Sequence, residues 1–433
     1  MTELLLDSAP QNQKTASFWR NPSAWLRQKN LGRGYWIFFS AAFFFDAGFA
    51  VYFFLFNLYL LDRGFNEQAM GWIGGAMTLG SLVGTLPAGE LSRRFGVRPL
   101  LIALFLTAPL TNAMRAIWVW EPAQIGLAFL TGMAMSSWGV CFLPAVARLS
   151  TERNRASAFS LIFSVSVGTS MLGGIVCGYL RQWLEMAGIM MQPVEVKRLI
   201  LLASCGIALL GLFPVLRLRV PSPSQDEEAQ HFLKERRRWL DAWRLDAFLA
   251  RFLPLMALWS AILAAFTPFA NVYLTRDLHI SMTKIGLVFS TVQVVQLCMG
   301  LLTPVIFRTL GLLNGIVATQ ITAAVMLALL SSTVNEKLAI GLYLIFSAAQ
   351  WMSSPGLYSL LMDKTPDRDR STAAAMTMFS NSLAGSLATA GAGVLFTRFG
   401  YPHVLSGLAV AALSIALLFR VFISPSLRHF VSE

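Results

Sequence analysis

Residues 34–61 read GYWIFFSAAFFFDAGFAVYFFLFNLYLL, 28 positions with one charged side chain, Asp46. A helix of about 20 apolar residues crosses the hydrocarbon core of a bilayer, so this run is long enough to span it. It is also too long, and starts too far from residue 1, to be a cleaved leader. Comparable runs follow near 69–91, 98–120, 123–149, 156–182, 198–217, 250–275, 283–306, 311–331, 338–362, 370–397 and 402–423, most of them bounded by Gly, Pro or charge. Across all 433 residues, 56% are hydrophobic and only 13% charged, a balance outside the soluble range. The expected fold is an all-α membrane protein of twelve transmembrane helices in two six-helix halves.

The same sequence excludes several kinds of chemistry. No HExxH or CxxC pair occurs, and Cys141, Cys177, Cys205 and Cys298 lie far apart within apolar runs, where they read as small hydrophobes. No metal or cofactor is expected, and no partnered mid-membrane carboxylates or histidines suggest an enzyme. A Gly-x-x-x-x-Gly-Lys-Ser/Thr loop is also missing, which argues against ATP as a driving force. The net charge of +12 raises the question of a nucleic-acid partner, and the distribution of that charge answers it. With the N-terminus inside, 25 of the 34 Lys and Arg residues fall on the inner side and nine on the outer. That asymmetry is the positive-inside rule. Both termini are therefore expected in the cytoplasm, in a plasma (inner) membrane, with the lipid bilayer and not nucleic acid as the partner.

These boundaries divide the chain into a cytoplasmic N-terminal segment (1–33), a first bundle (34–217), a cytoplasmic linker (218–249), a second bundle (250–423) and a tail (424–433). Phe232, Trp239, Leu240, Trp243 and Phe248 recur at helical spacing beside a basic run, which reads as an amphipathic helix along the inner leaflet. Phe18, Trp19, Trp25 and Leu26 with Arg20, Arg27 and Lys29 give the N-terminal segment an interfacial helix of the same kind.

The two bundles are related. Shifting the chain by 214 or 215 positions sets Asn57-Leu-Tyr59-Leu against Asn271-Val-Tyr273-Leu, Gly71 against Gly286, Arg93 against Arg308, and Gly96 against Gly311. Glu152-Arg153-Asn154-Arg155 then meets Asp367-Arg368-Asp369-Arg370. The matches fall in order at nearly one offset. Two parallel repeats joined by a cytoplasmic loop form a transporter architecture, with a site at the interface near mid-membrane.

The loop after the second run, Gly89-Glu-Leu-Ser-Arg93-Arg94-Phe-Gly96-Val-Arg98, resembles the Gly-x-Leu-x-Asp-Arg-x-Gly-Arg-Arg signature of the major facilitator superfamily. Arg94, Gly96 and Arg98 fit, while Arg93 and Val97 stand where the pattern has Asp and Arg. The loops around Arg153 and Arg368 resemble the family's pattern at the corresponding places. This resemblance implies alternating access, a monomeric pathway and a conformational role for the Gly89–Arg98 loop. The fifth run carries Gly168, Gly173, Gly174 and Gly178 without the Gly-Pro pair of the superfamily's drug/proton antiporters. Close helix packing accounts for those glycines equally well.

Asp46 is the acidic residue that lies well inside a run, and an intramembrane carboxylate is a functional candidate by default. It reads as a proton-coupling group, a cation-binding group, or a structural hydrogen bond. Arg115, in the outer third of the third run near Trp118 and Trp120, is expected to snorkel to the outer interface or to pair, with an external gate or an anion contact as the alternatives. For the cavity, the shift pairs Thr78 and Ser81 with Gln293 and Gln296, and Ser166 with Asn381; Trp138 lies near the level of Gln350 and Trp351, and Asn57 and Asn271 join them. Amides unpaired in hydrocarbon cost several kcal/mol, so these side chains are expected in a shared cavity with Asp46 or bonded between helices. Pro144, Pro268 and the Ser353–Gly356 segment are expected to break their helices.

The function these features point to is secondary transport of a small organic solute. Proton-coupled export of an amphipathic compound, suggested by the aromatic first run, is the leading reading. Proton-coupled uptake of a neutral polar solute such as a sugar or nucleoside is the first alternative. Cation or metal transport through Asp46, and a membrane sensor or assembly factor that transports nothing, are the others.

Overall fold

The structure, a computed structural model, describes residues 31–219 and 247–428 apart from 152–153, 187, 189–191 and 367–368. The interfacial helix expected in 1–33 and most of the linker with its amphipathic helix lie outside the described residues. Every regular element described is helical: α1 (Arg33–Asp62), α2 (Glu67–Phe95), α3 (Val97–Ile117), α4 (Glu121–Arg148), α5 (Arg155–Met186), α6 (Pro193–Leu210), α7 (Leu212–Arg217), α8 (Ala247–Phe266), α9 (Ala270–Arg276), α10 (Met282–Leu310), α11 (Leu312–Ser332), α12 (Glu336–Lys364) and α13 (Arg370–Arg428). Ten stretches among them are long and apolar enough to cross a membrane. The chain is thus an all-helical integral membrane protein.

Local sequence sets the helix ends. Asn66 caps α2 by accepting from the Ala69 N–H at 2.9 Å, and Asn335 caps α12 in the same way from Leu338 at 3.2 Å. Gly96 separates α2 from α3 at φ 82°, and Gly311 separates α10 from α11 at φ 80°. Residues with a Cβ rarely adopt that backbone conformation, so glycine sharpens both turns. Pro268 sits in a 3-10 turn, Thr267–Phe269, that divides α8 from α9. The breaks expected at Pro144 and Pro355 do not occur, since α4 and α12 run through them. Inside α13, Gly400 leaves helical geometry at φ 73°, ψ 167°.

Lipid is as apolar as leucine, so helices associate in it through close approach and aromatic packing more than through solvent exclusion. Gly80 and Gly132 let α2 and α4 touch along their backbones, because a Cβ on either would collide with a main-chain carbonyl of the other helix, Phe129 O or Met77 O. In the first set, α1 packs on α5 and α6, and α3 on α4 and α6. In the second, α13 packs on α8 and α11, and α12 on α10 and α11. The sets meet through α2 with α13, α5 with α10, and α1 with α9.

The core has two parts. One contains only first-set residues, from Tyr35 to Leu218, at the end where α1 begins. The other runs continuously from the far end of the first set, Tyr52 to Cys205, through the whole second set. The molecule is therefore joined into one core at one end and divided at the other.

Candidate functional site

Contacts across the joined end come in equivalent pairs. Asn57 Nδ2 donates to Pro268 O at 2.7 Å, and Asn271 Nδ2 donates to Phe54 O at 2.9 Å. Each asparagine thus reaches the carbonyl three residues before its counterpart. Ser386 Oγ donates to Gly75 O and Ser290 Oγ to Met171 O, both at 2.7 Å. Gly71 packs on Thr389 and Gly393, while Gly286 packs on Gly174 and Gly178. Every one of these contacts maps onto its mate by the 214- or 215-residue shift. Gly173, Gly174 and Gly178 of the fifth run are thus helix-packing residues, whereas Gly168 has open space around it. Some contacts have no such mate, among them an ion pair: Arg276 Nη1 lies 2.6 and 2.7 Å from the two carboxylate oxygens of Glu67. Glu67 is buried and Arg276 exposed, so the pair covers the outside of the joined end.

Beneath this seam lies a cavity of about 430 Å³ between the two sets, within the range of roughly 300–1,000 Å³ that encloses small molecules. Its polar wall is made by Asn57, Thr78, Thr267, Asn271, Thr389 and Arg115. Pro268 and the 3-10 turn position Thr267 there by halting α8 and restarting the helix at Ala270. Thr389 is fixed by donating to Ala264 O at 3.0 Å.

Arg115 does not snorkel. Its side chain is 2% exposed, with Nη1 donating to Asn112 Oδ1 at 3.1 Å and Nε to Gln124 Oε1 at 3.4 Å. The guanidinium carbon stands 4.2 Å from the centre of the Phe56 ring, a cation–π distance. These neutral partners and the ring give the head group an environment at depth, so it has no need to reach the interface. Gln124 is itself pinned by donating to the carbonyls of Arg115 and Trp118.

The other candidates are more dispersed. Asp46 is half-buried on α1, where Oδ2 accepts a hydrogen bond from Ser166 of α5. Eleven residues of helix place it about 16 Å from Asn57, toward the divided end, and it does not line the cavity. Gln293 and Gln296 are half-buried on α10, one and two turns past the cavity-lining Phe289. Ser81 likewise lies one turn past Thr78. Gln350 stands behind the wall, accepting from Thr267 Oγ1 at 3.4 Å. Trp351 is half exposed and leans toward Gly300. Trp138 packs with Phe38, Phe45, Phe105 and Phe142 inside the first set. Asn381 Oδ1 is buried without a hydrogen-bond partner among the described residues.

In the signature loop, Gly96 makes the turn, Arg98 donates to Leu216 O, and the Arg94 guanidinium lies over the Phe95 ring. Gly89 has open space around it, and the side chain of Arg93 is outside the described set. Thr267 and Thr389 were not anticipated. Single threonines are common in apolar helices because their hydroxyl satisfies itself on the preceding turn, and Thr389 does so on Gly385. The available signal was the shift itself, which sets Thr389 against Gly174.

A family model described as Major Facilitator Superfamily matches residues 38–389. Among solved structures, the fold is similar to that of the nucleoside transporter NupG, with TM-score 0.73 and 13% identity over 90% of this chain and 99% of that one. It is similar to a D-xylose-proton symporter, with TM-score 0.68 and 15% identity over 89% and 96%. It is also similar to the inward-open xylose transporter XylE from E. coli, with TM-score 0.65 and 16% identity over 89% and 94%. At these identities the likeness is one of fold. No curated protein matches the chain.

Proposed function

The chain belongs to the major facilitator superfamily, and we propose on that footing that it carries a small organic solute across the membrane by alternating access, coupled to protons through Asp46. The observation that supports this best is the cavity lying directly beneath a seam of equivalent contacts, closed on one side and facing the division between the sets on the other. Such a seam can open as the opposite end closes, exposing one site to each side in turn.

The architecture behind the proposal is twelve spans in two six-helix halves. The ten apolar stretches become eleven when the less apolar Glu336–Lys364 helix is counted with them. The twelfth comes from dividing the 52-residue stretch at Gly400, since its helical length of about 78 Å is more than twice a hydrocarbon core. With both termini cytoplasmic, as the basic residues indicate, the divided end faces the cytoplasm and the state is inward-open. The chain acts as a monomer in the inner membrane.

The aromatic wall supports an amphipathic solute, and export of such a compound is the direction we favour. Uptake of a neutral polar solute is the second reading, favoured by the amides and hydroxyls of the wall and by the transporters named above, one for nucleosides and one a D-xylose-proton symporter. Metal transport has less support, because the described residues hold no group of three or more His, Cys, Asp or Glu. Counterflow of labelled uridine, xylose and amphipathic compounds in liposomes tests the class. A chain that binds such a solute tightly yet supports no counterflow is not a transporter.

A further inference from the structure

The cavity wall contains a single charged side chain. Arg115 remains protonated in any protein environment, and here it is held by Asn112, Gln124 and the Phe56 ring, all uncharged. No carboxylate among the described residues forms an ion pair with it. Its Nη2 makes no hydrogen bond with a described residue, while Nε and Nη1 are both used. Three residues away on the same helix face, Asn112 Nδ2 is buried and also without a partner. One guanidinium edge with an unused donor and an uncompensated positive charge therefore lies at the wall of a largely apolar space, with Asn112 buried behind it.

A buried cation without a counter-charge is costly, and a planar guanidinium with a free edge matches the two oxygens of a carboxylate. Around it the cavity is walled by Phe53, Phe54, Phe56, Phe269 and Phe289. That combination suits one negative group attached to an apolar body. A dianion such as a phosphate ester would leave a charge unmatched, since the wall offers no second cation.

We infer that the transported solute is an amphipathic organic monocarboxylate, its carboxylate seated on Arg115 and its apolar body among the phenylalanines. This rests on the transporter reading and narrows it to a substrate class. The bound carboxylate supplies the counter-charge the cavity lacks, so the loaded site carries no net charge as the halves rock.

The test compares phenylacetate, 3-phenylpropionate and 4-phenylbutyrate with their primary amides, by thermal shift on the purified protein at neutral pH. The acids should raise the midpoint in a concentration-dependent way, and the amides should bind at least about tenfold more weakly. Arg115→Gln should reduce acid binding tenfold or more and amide binding by a much smaller factor, so that the preference for acid over amide collapses, while Arg115→Lys should fall between. If Arg115→Gln does not fold, the acid–amide comparison on the wild type and on Arg115→Lys decides alone. Equal binding of acids and amides, no binding of any acid, or undiminished acid binding by Arg115→Gln would overturn the inference. Shifts with uridine or xylose and none with the acids would overturn it as well, while leaving solute transport standing.

Discussion

Asp46 is joined to Ser166 across α1 and α5, about 16 Å along the helix from Asn57 toward the divided end. A group placed there can report on which end is wet without touching the solute, because a dry surround favours the neutral form of a carboxyl and a wet one the charged form. Asp46→Asn retains size and hydrogen bonding but cannot titrate. We expect the variant to lose pH-driven accumulation while still exchanging solute down its gradient. PH-driven transport at the wild-type rate would eliminate proton coupling through this residue, and loss of both activities would indicate that it binds the solute directly. Asp46 was legible in the sequence because a carboxylate in an apolar run is conspicuous. Arg115 was legible as a residue but not in its surroundings. Its depth could be counted along the helix, whereas the neighbours that keep it inside, Phe56 and Gln124, come from α1 and α4, and nothing in the apolar pattern announces that they converge.

At the scale of elements, the paired contacts across the seam hold α1 to α9, α2 to α13 and α5 to α10. Asn57→Ala or Asn271→Ala removes one hydrogen bond of about 1 kcal/mol, and the double substitution about 2 kcal/mol. The closed-to-open ratio of the seam should fall about fivefold in each single variant and about thirtyfold in the double one. Spin labels at Trp120 and Val334, exposed positions at the joined end of either set, should show a longer distance growing in that order. An unchanged distance distribution in the double variant would mean the asparagines do not hold the seam. Gly286→Ala should have a larger effect, because the new Cβ would collide with the Gly174 carbonyl and α5 and α10 must part to accept it. The shift that relates these elements was readable from Asn57 and Asn271, since polar residues stand out against an apolar background. Thr267 was not readable, because its position depends on where the 3-10 turn interrupts the helix, and proline content did not distinguish that break from the continuous helices at Pro144 and Pro355.

For the whole molecule, orientation is the property that composition makes most visible and coordinates least. The orientation we propose, with the divided end in the cytoplasm, rests on the 25-to-nine division of basic residues. In a background without native cysteines, Cys at Val334, which is 93% exposed, should react with an impermeant thiol reagent in intact cells. Cys at Ser222 in the linker should react only after permeabilisation. The reverse pattern would invert the topology and make the state outward-open.

One feature of the seam reaches beyond the transport cycle. Its hydrogen bonds end largely on main-chain carbonyls: Phe54 O, Pro268 O, Gly75 O and Met171 O. Phe54 also sends its ring into the cavity, edge-on to Phe289 at 5.3 Å. Every amino acid has a backbone carbonyl, so an exchange at position 54 can reshape the chamber and still leave Asn271 its acceptor. The latch and the lining of the chamber are written in different atoms of the same residue. A lineage of such proteins is thereby free to drift toward new compounds without first having to reinvent the mechanism that shuts the door.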